Sequence, residues 1–277
     1  MTFVQEWAAS DSRRLLRVPT GDDDKFSRGV VGVRTGSDAY PGAAVLGVEA
    51  AWRAGAGYVR FVGGRRVADA VIARRPETVA TDPSSSPRVD CWVIGSGTDA
   101  ATRSSAESDA LRGLLGGRTP IVVDAGAIDL AIGASAPLIV TPHAGEHARL
   151  RHALGLSAPG ADRAADAAET ARALGGTVLL KGARTLVADP EGRVIGLDPG
   201  TGWLATAGTG DVLAGVIGAV LAANPDAATA EVAATGAWLH GAAARIASGS
   251  QDGATGHPIV ALDVAAALPH AIAELLP

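Results

Sequence analysis

The chain has 277 residues, a length that fits one large α/β domain or two smaller ones, and its 47% hydrophobic and 19% charged composition excludes disorder over most of it. Its 24 basic and 29 acidic side chains leave a formal charge of -5, which excludes a footprint built mainly on nucleic-acid phosphates. Cys91 is the single cysteine, so there is no internal disulfide, a reducing compartment is expected, and a buried thiol is the simplest reading of it.

From Met1 to Thr20 the chain carries Glu6, Asp11 and several arginines without a continuous apolar stretch, so no signal peptide is expected. Short β-rich runs then alternate with longer Ala/Leu-rich segments, the pattern of a mostly parallel sheet covered by helices. Strands are expected over Val30–Arg34, Tyr58–Val62, Cys91–Ile94, Ile121–Asp124, Leu138–Thr141 and Val178–Lys181. Because βαβ connections return each strand in one direction, their polar ends gather along one sheet edge, where open α/β folds bind ligands. Between the first strand and its helix runs Gly36-Ser37-Asp38-Ala39-Tyr40-Pro41-Gly42-Ala43-Ala44, with Pro41 at the first helical turn and small residues behind it. The segment Thr81–Pro87 reads as a surface loop, after which the alternation resumes, so a single domain over 1–277 is expected.

Gly95-Ser96-Gly97-Thr98 follows the Cys91 strand and offers either a close backbone approach to a ligand or a plain βα turn. Thr141-Pro142-His143-Ala144-Gly145-Glu146 leaves another strand and opens a helix. There His143 can meet a ligand and Glu146 can orient water around a magnesium ion, or the pair can simply open the helix. Only two of the 24 basic residues are lysines, Lys25 and Lys181, and Lys181 arrives at the sheet edge in Lys181-Gly182-Ala183-Arg184-Thr185. That string suits phosphate, and an exposed lysine beside a turn is the plainer alternative.

Thr185–Ala188 and Val194–Leu197, joined by Asp189-Pro190-Glu191-Gly192, read as an antiparallel hairpin. Three Ala-rich helices follow, over Asp211–Ala223, Ala227–Ser248 and Val260–Leu276, with a mobile loop at 248–256. The apolar run at Ala214–Ala223 is too short to span a membrane, and a cytoplasmic protein is expected. Gly208-Thr209-Gly210-Asp211 runs straight into the first of these helices. Its glycines and unpaired first-turn amides can cradle an anion, and Asp211 can take a proton from an attacking hydroxyl or merely stabilise the helix start.

In this order the strings resemble the ADP/ATP-dependent NAD(P)H-hydrate dehydratase family. They run from Lys25-Phe26-Ser27-Arg28-Gly29 through Tyr40-Pro41-Gly42-Ala43, Gly95-Ser96-Gly97, Asp124-Ala125, the His143 and Lys181 strings and on to Gly208–Asp211. The resemblance implies a ribokinase-like fold, three-layer α/β/α with a mostly parallel central sheet. It implies a hydro-lyase that uses ADP, or ATP, with Mg2+ to dehydrate the S-form of NADHX or NADPHX; with ADP the products are NADH or NADPH, AMP and phosphate.

Carried over position by position, the resemblance assigns Ala43, Gly97, His143 and Asp211 to the hydrate, with Asp211 as base. It assigns Lys181, Gly182, Ala183, Arg184, Thr185 and Gly210 to the adenine nucleotide. It also implies a homotetramer and a separate NAD(P)H-hydrate epimerase as functional partner, with no nucleic acid or membrane involved. Two segments depart from the family pattern. Gly95-Ser96-Gly97-Thr98-Asp99 stands where the family has GPGxG, and Asp124-Ala125-Gly126 where it has DAD. Asp99 would repel phosphates unless it faces solvent or a cation, and Gly126 removes a usual carboxylate. The alternatives are a ribokinase-like kinase of a small alcohol, such as a thiamine precursor, and a nucleotide-binding protein without turnover.

Overall fold

Runs of Val, Ile and Leu at the expected strand positions pair into one ten-stranded sheet in the computed structural model, which describes residues 2–198 and 200–276. In chain order the strands are β1 (Gln5–Glu6), β2 (Val30–Arg34), β3 (Tyr58–Val62), β4 (Val79–Thr81) and β5 (Cys91–Ile94), then β6 (Ile121–Val123), β7 (Leu138–Val140), β8 (Thr177–Leu180), β9 (Thr185–Ala188) and β10 (Val194–Leu197). The helices are α1 (Ala9–Arg13), α2 (Pro41–Arg53), α3 (Arg65–Arg74), α4 (Ser105–Leu115), α5 (Ala144–Ala153), α6 (Arg163–Leu174), α7 (Thr209–Ala223), α8 (Thr229–Ser248) and α9 (Ala261–Ala273).

Sheet order is β1-β10-β9-β8-β7-β6-β5-β2-β3-β4. All pairings are parallel except β8–β9 and β9–β10, where the expected hairpin turns the chain back. Strands buried on both faces need two hydrophobic layers, and the core divides accordingly. One cluster joins α2, α7, α8 and α9 to one face of the sheet, and the other joins α4, α5 and α6 to the opposite face. In the first layer α7 is buried at every residue from Val212 to Ala222. Cys91 lies fully buried in β5, and burial pushes its thiol up, out of reach of ionisation at neutral pH. No helix among the described residues is long and apolar enough to cross a membrane.

The structure corrects several boundaries. The first residue of Thr81–Pro87 belongs to β4, which sequence periodicity missed together with β1. These are the two edge strands, and runs of two and three residues carry no readable period. The last two helices are shorter than expected, α8 starting after the Asn224 turn and α9 ending before Glu274, whereas α7 starts two residues earlier, at Thr209. In the expected loop at 248–256, Trp203 Nε1 donates to the Thr255 carbonyl at 2.9 Å, and a 3-10 turn spans Gln251–Gly253, so this stretch is tethered.

Strands β6, β7 and β8 each stop one residue before the expected end. Asp124, Thr141 and Lys181 are therefore the first residues beyond the strands. Each still continues its ladder by one bond, with Asp124 N donating to Ile94 O, Thr141 N to Val123 O and Lys181 N to Pro142 O at 3.0, 3.0 and 2.9 Å. Since β5, β6, β7 and β8 are neighbours, the residues that follow them stand side by side along one edge.

Candidate active site

That row assembles around Asp124, a buried carboxylate that the sequence presents only as part of the Asp124-Ala125 motif. Its Oδ1 accepts from Thr141 Oγ1 at 2.7 Å and from Lys181 Nζ at 2.9 Å, while Oδ2 accepts from Ser96 Oγ at 2.9 Å. Lys181 Nζ also stands 4.0 Å from Glu146 Oε2. Burial alone would push the Lys181 ammonium down, but Asp124, with Glu146 and Asp211, holds it up, so the lysine stays charged. The rare lysine is thus fixed in position and still one-fifth exposed at the edge.

Asp211 comes to this row from another direction, in the first turn of α7. Burial and the neighbouring Asp124 charge push its carboxyl up to about 6, against the lowering influence of Lys181 and Ser96. A carboxylate with that value is poised for proton transfer near neutral pH. The helix start beside it could receive an anion: the amides of Gly210 and Asp211 find no backbone partner among the described residues. A Cβ placed at Gly210 would meet only Lys181 Nζ, at 3.4 Å, so the missing side chain leaves space facing the ammonium. Behind the turn, Thr209 Oγ1 donates to the Leu204 and Thr206 carbonyls at 3.0 Å each. His240 of α8 lies against the Thr209 backbone, and burial, with a contribution from Lys181, holds its imidazole down to about 4 and therefore neutral.

Ala43 and Gly97 form a second wall. A Cβ on Gly97, whose φ is +68°, would sit 2.4 Å from Ala43 Cβ and 3.0 Å from the Tyr40 carbonyl. Gly97→Ala is therefore expected to lose about 1–3 kcal/mol of stability. Urea unfolding measures this, and an unchanged midpoint would mean that the α2 wall yields freely.

His143 is the N-cap of α5. Its Nδ1 accepts from the amides of Gly145 and Glu146 at 3.0 and 3.3 Å, and Glu146 Oε2 accepts from His143 N at 2.8 Å. The helix-opening reading of this pair is thus realised. The exposed ring keeps Nε2 available, 3.4 Å from Glu146 Oε1.

The Lys181–Thr185 string is divided. Lys181 turns into the row, whereas Gly182 packs on Arg163, whose guanidinium donates to the Lys181 and Arg184 carbonyls. Arg184 pairs with Glu6 of β1 on the outer side of the hairpin, Ala183 is exposed and Thr185 begins β9. Asp99 faces solvent, its Oδ1 accepting from Ala101 N at 2.9 Å. At Gly126 a Cβ would lie 2.1 Å from the Thr98 carbonyl, so this backbone admits no side chain there.

Sequence reasoning missed the organising roles of Asp124, Ser96 and Thr141. Each is the first polar residue, or nearly so, after an apolar strand, and that shared register is the signal that could have linked them.

Against known proteins, the family model described as NAD(P)H-hydrate dehydratase matches residues 31–259. The bifunctional NAD(P)H-hydrate repair enzyme Nnr of Mycobacterium tuberculosis strain H37Rv is 43% identical over 224 residues, which are 78% of this chain and 46% of that protein. This chain thus spans just under half the length of that relative. The ADP-dependent (S)-NAD(P)H-hydrate dehydratase of Neisseria meningitidis is 37% identical over 222 residues, 73% of this chain and 72% of that protein. The ADP/ATP-dependent NAD(P)H-hydrate dehydratase from Bacillus subtilis, co-crystallised with ATP/Mg2+, superposes with a TM-score of 0.85 at 26% identity, covering 99% of both chains.

Proposed function

The chain belongs to the NAD(P)H-hydrate dehydratase family, and from that premise we propose that it restores NADH and NADPH from their hydrated S-forms in a nucleotide-dependent dehydration. The observation that carries the reading is the meeting of three things at one edge: the Asp211 carboxylate at about 6, the fixed Lys181 ammonium and the free amides of the α7 start. Together they form a proton acceptor beside a phosphate cradle, which is what transfer of a phosphoryl group to a hydroxyl requires.

In the proposed course, the ring hydroxyl attacks the terminal phosphorus of ADP, Asp211 takes its proton, and AMP leaves with the electrons of the broken P–O bond. The ring nitrogen lone pair then expels the new phosphate, and the iminium loses a neighbouring proton to give the dihydropyridine. Lys181 and the Gly210 and Asp211 amides hold the phosphates in line, and Ala43 and Gly97 wall the ring. The printed name of the Neisseria relative supports ADP as the nucleotide.

Magnesium typically keeps several waters and takes one or two carboxylates beside substrate phosphates. Among the described residues no group of three or more His, Cys, Asp or Glu is disposed to hold a metal unaided. The donor set therefore fits an ion carried by the nucleotide's phosphates, with Glu146 reached through water, where the cation would neutralise phosphate charge. We also propose one functional unit over 1–277, a homotetramer, a cytoplasmic setting and a separate epimerase supplying the S-form.

Incubating the purified protein with hydrated NADH, magnesium and ADP is expected to yield NADH, AMP and phosphate in equal amounts. A stable phosphate ester accumulating instead, or faster phosphorylation of a thiamine precursor, would move the chain to the kinase alternative.

A further inference from the structure

The proposed chemistry accounts for one end of a dinucleotide, since only the hydrated ring meets Asp211 and the adenylate half needs its own seat. Resting on that reading, we propose that the adenylate half lies in the cleft between the 98–100 turn, the 3-10 turn Ala125–Leu130 and α5, with Asp99 and Arg149 on its rim setting the preference between hydrated NADH and hydrated NADPH.

The cleft has a volume of about 470 Å³, within the range of about 300–1,000 Å³ usual for small-molecule sites. It borders the active site: Glu146, which lines it, stands 4.0 Å from Lys181 Nζ, and Thr98, on its other wall, follows Gly97. Its floor is apolar, with Ile128, Leu150 and Ile132, the last 41% exposed, a large hydrophobic surface suited to a purine face.

The rim supplies charge. Asp129 is neutralised by Arg103, whose Nη2 lies 2.6 Å from Asp129 Oδ2. Asp99 uses one oxygen on Ala101 N and leaves the other free. Arg149 has neither a hydrogen bond nor an ion pair among the described residues. A carboxylate accepts from a ribose 2′-hydroxyl and repels a 2′-phosphate, whereas a free guanidinium takes the phosphate in a bidentate grip. Two unengaged opposite charges on one cleft thus match the single difference between the two substrates.

The test compares hydrated NADH, hydrated NADPH and the hydrate of reduced nicotinamide mononucleotide, which lacks the adenylate. Arg149→Ala is expected to lower kcat/KM for hydrated NADPH by about tenfold, with hydrated NADH little changed. Asp99→Asn should shift the ratio toward hydrated NADPH by a similar factor. Ala153→Trp, at an exposed position on the cleft wall, should impair both dinucleotides. None of the three should alter the mononucleotide. Parallel changes on mononucleotide and dinucleotides, or no change on any, would overturn the proposal. Equilibrium binding of NADP+ and nicotinamide mononucleotide to the same variants repeats the comparison without turnover. A wild type that dehydrates none of the hydrates therefore sinks the functional reading, while the binding comparison still decides the cleft.

Discussion

Asp211→Asn is expected to lower turnover by about 100-fold or more, the usual contribution of a positioned general base. ADP affinity should hardly change, because Lys181 and the α7 amides still face the phosphates. The same residue sets a pH dependence. The base works only when ionised, so kcat/KM in the wild type should fall roughly tenfold per pH unit below about 6, the value to which burial and Asp124 raise it. Stability moves the other way. The folded-state value lies above the unfolded 3.8, so Asp211 stabilises the fold least above pH 6, and this cost disappears as pH falls through the window to below 3.8. Asn carries no charge to bury, so the variant should be more stable than the wild type at mildly alkaline pH, by on the order of 3 kcal/mol. That gain should vanish near pH 3. Near-normal turnover in the Asn protein would remove Asp211 from the chemistry, and equal stability at alkaline pH would mean that its charge is already compensated.

Lys181→Met should have the second large effect, and it divides into two parts. Asp124 is left as a buried carboxylate without its cation, which is expected to destabilise the fold by about 3 kcal/mol, toward the low end for a buried pair because the lysine is partly exposed. ADP binding should weaken as well, and added salt should shrink the difference only in part, since the pair is shielded from the solvent that carries the screening ions. Pairing the change with Asp124→Asn separates the parts: the double variant should recover stability, yet bind ADP as poorly as the single one. Recovery of both would reduce Lys181 to a structural counter-ion.

Much of the fold was legible because its central strands are buried on both faces and read as continuous Val/Ile/Leu runs, as in Val30–Arg34 and Cys91–Ile94, both matching to the residue. The hairpin was legible from Asp189-Pro190-Glu191-Gly192 for the same local reason. Edge strands were not, because Gln5–Glu6 is strand only through its pairing with Ile195 and Gly196, distant in sequence. The site divides along the same line. Asp211 and Lys181 announce themselves through a glycine turn and a rare residue type, whereas Asp124 acts by gathering Ser96, Thr141 and Lys181 across neighbouring strands. Arg184 shows the converse. It follows Lys181 by three residues in the same phosphate-like string, and its guanidinium pairs with Glu6 of β1.

The helix that presents the anion cradle is buried from Val212 to Ala222. Amides in such an element are expected to be among the slowest of the fold to exchange with solvent, which would give the helix behind the proposed phosphate cradle the rigidity of the core. Any shape change in a working cycle must then fall to the exposed borders, such as Asp38–Tyr40 and the tethered stretch around Thr255. On the proposed function, product release and nucleotide grip would fall to different parts of the chain, and variation in the border loops could tune one while the other stays fixed.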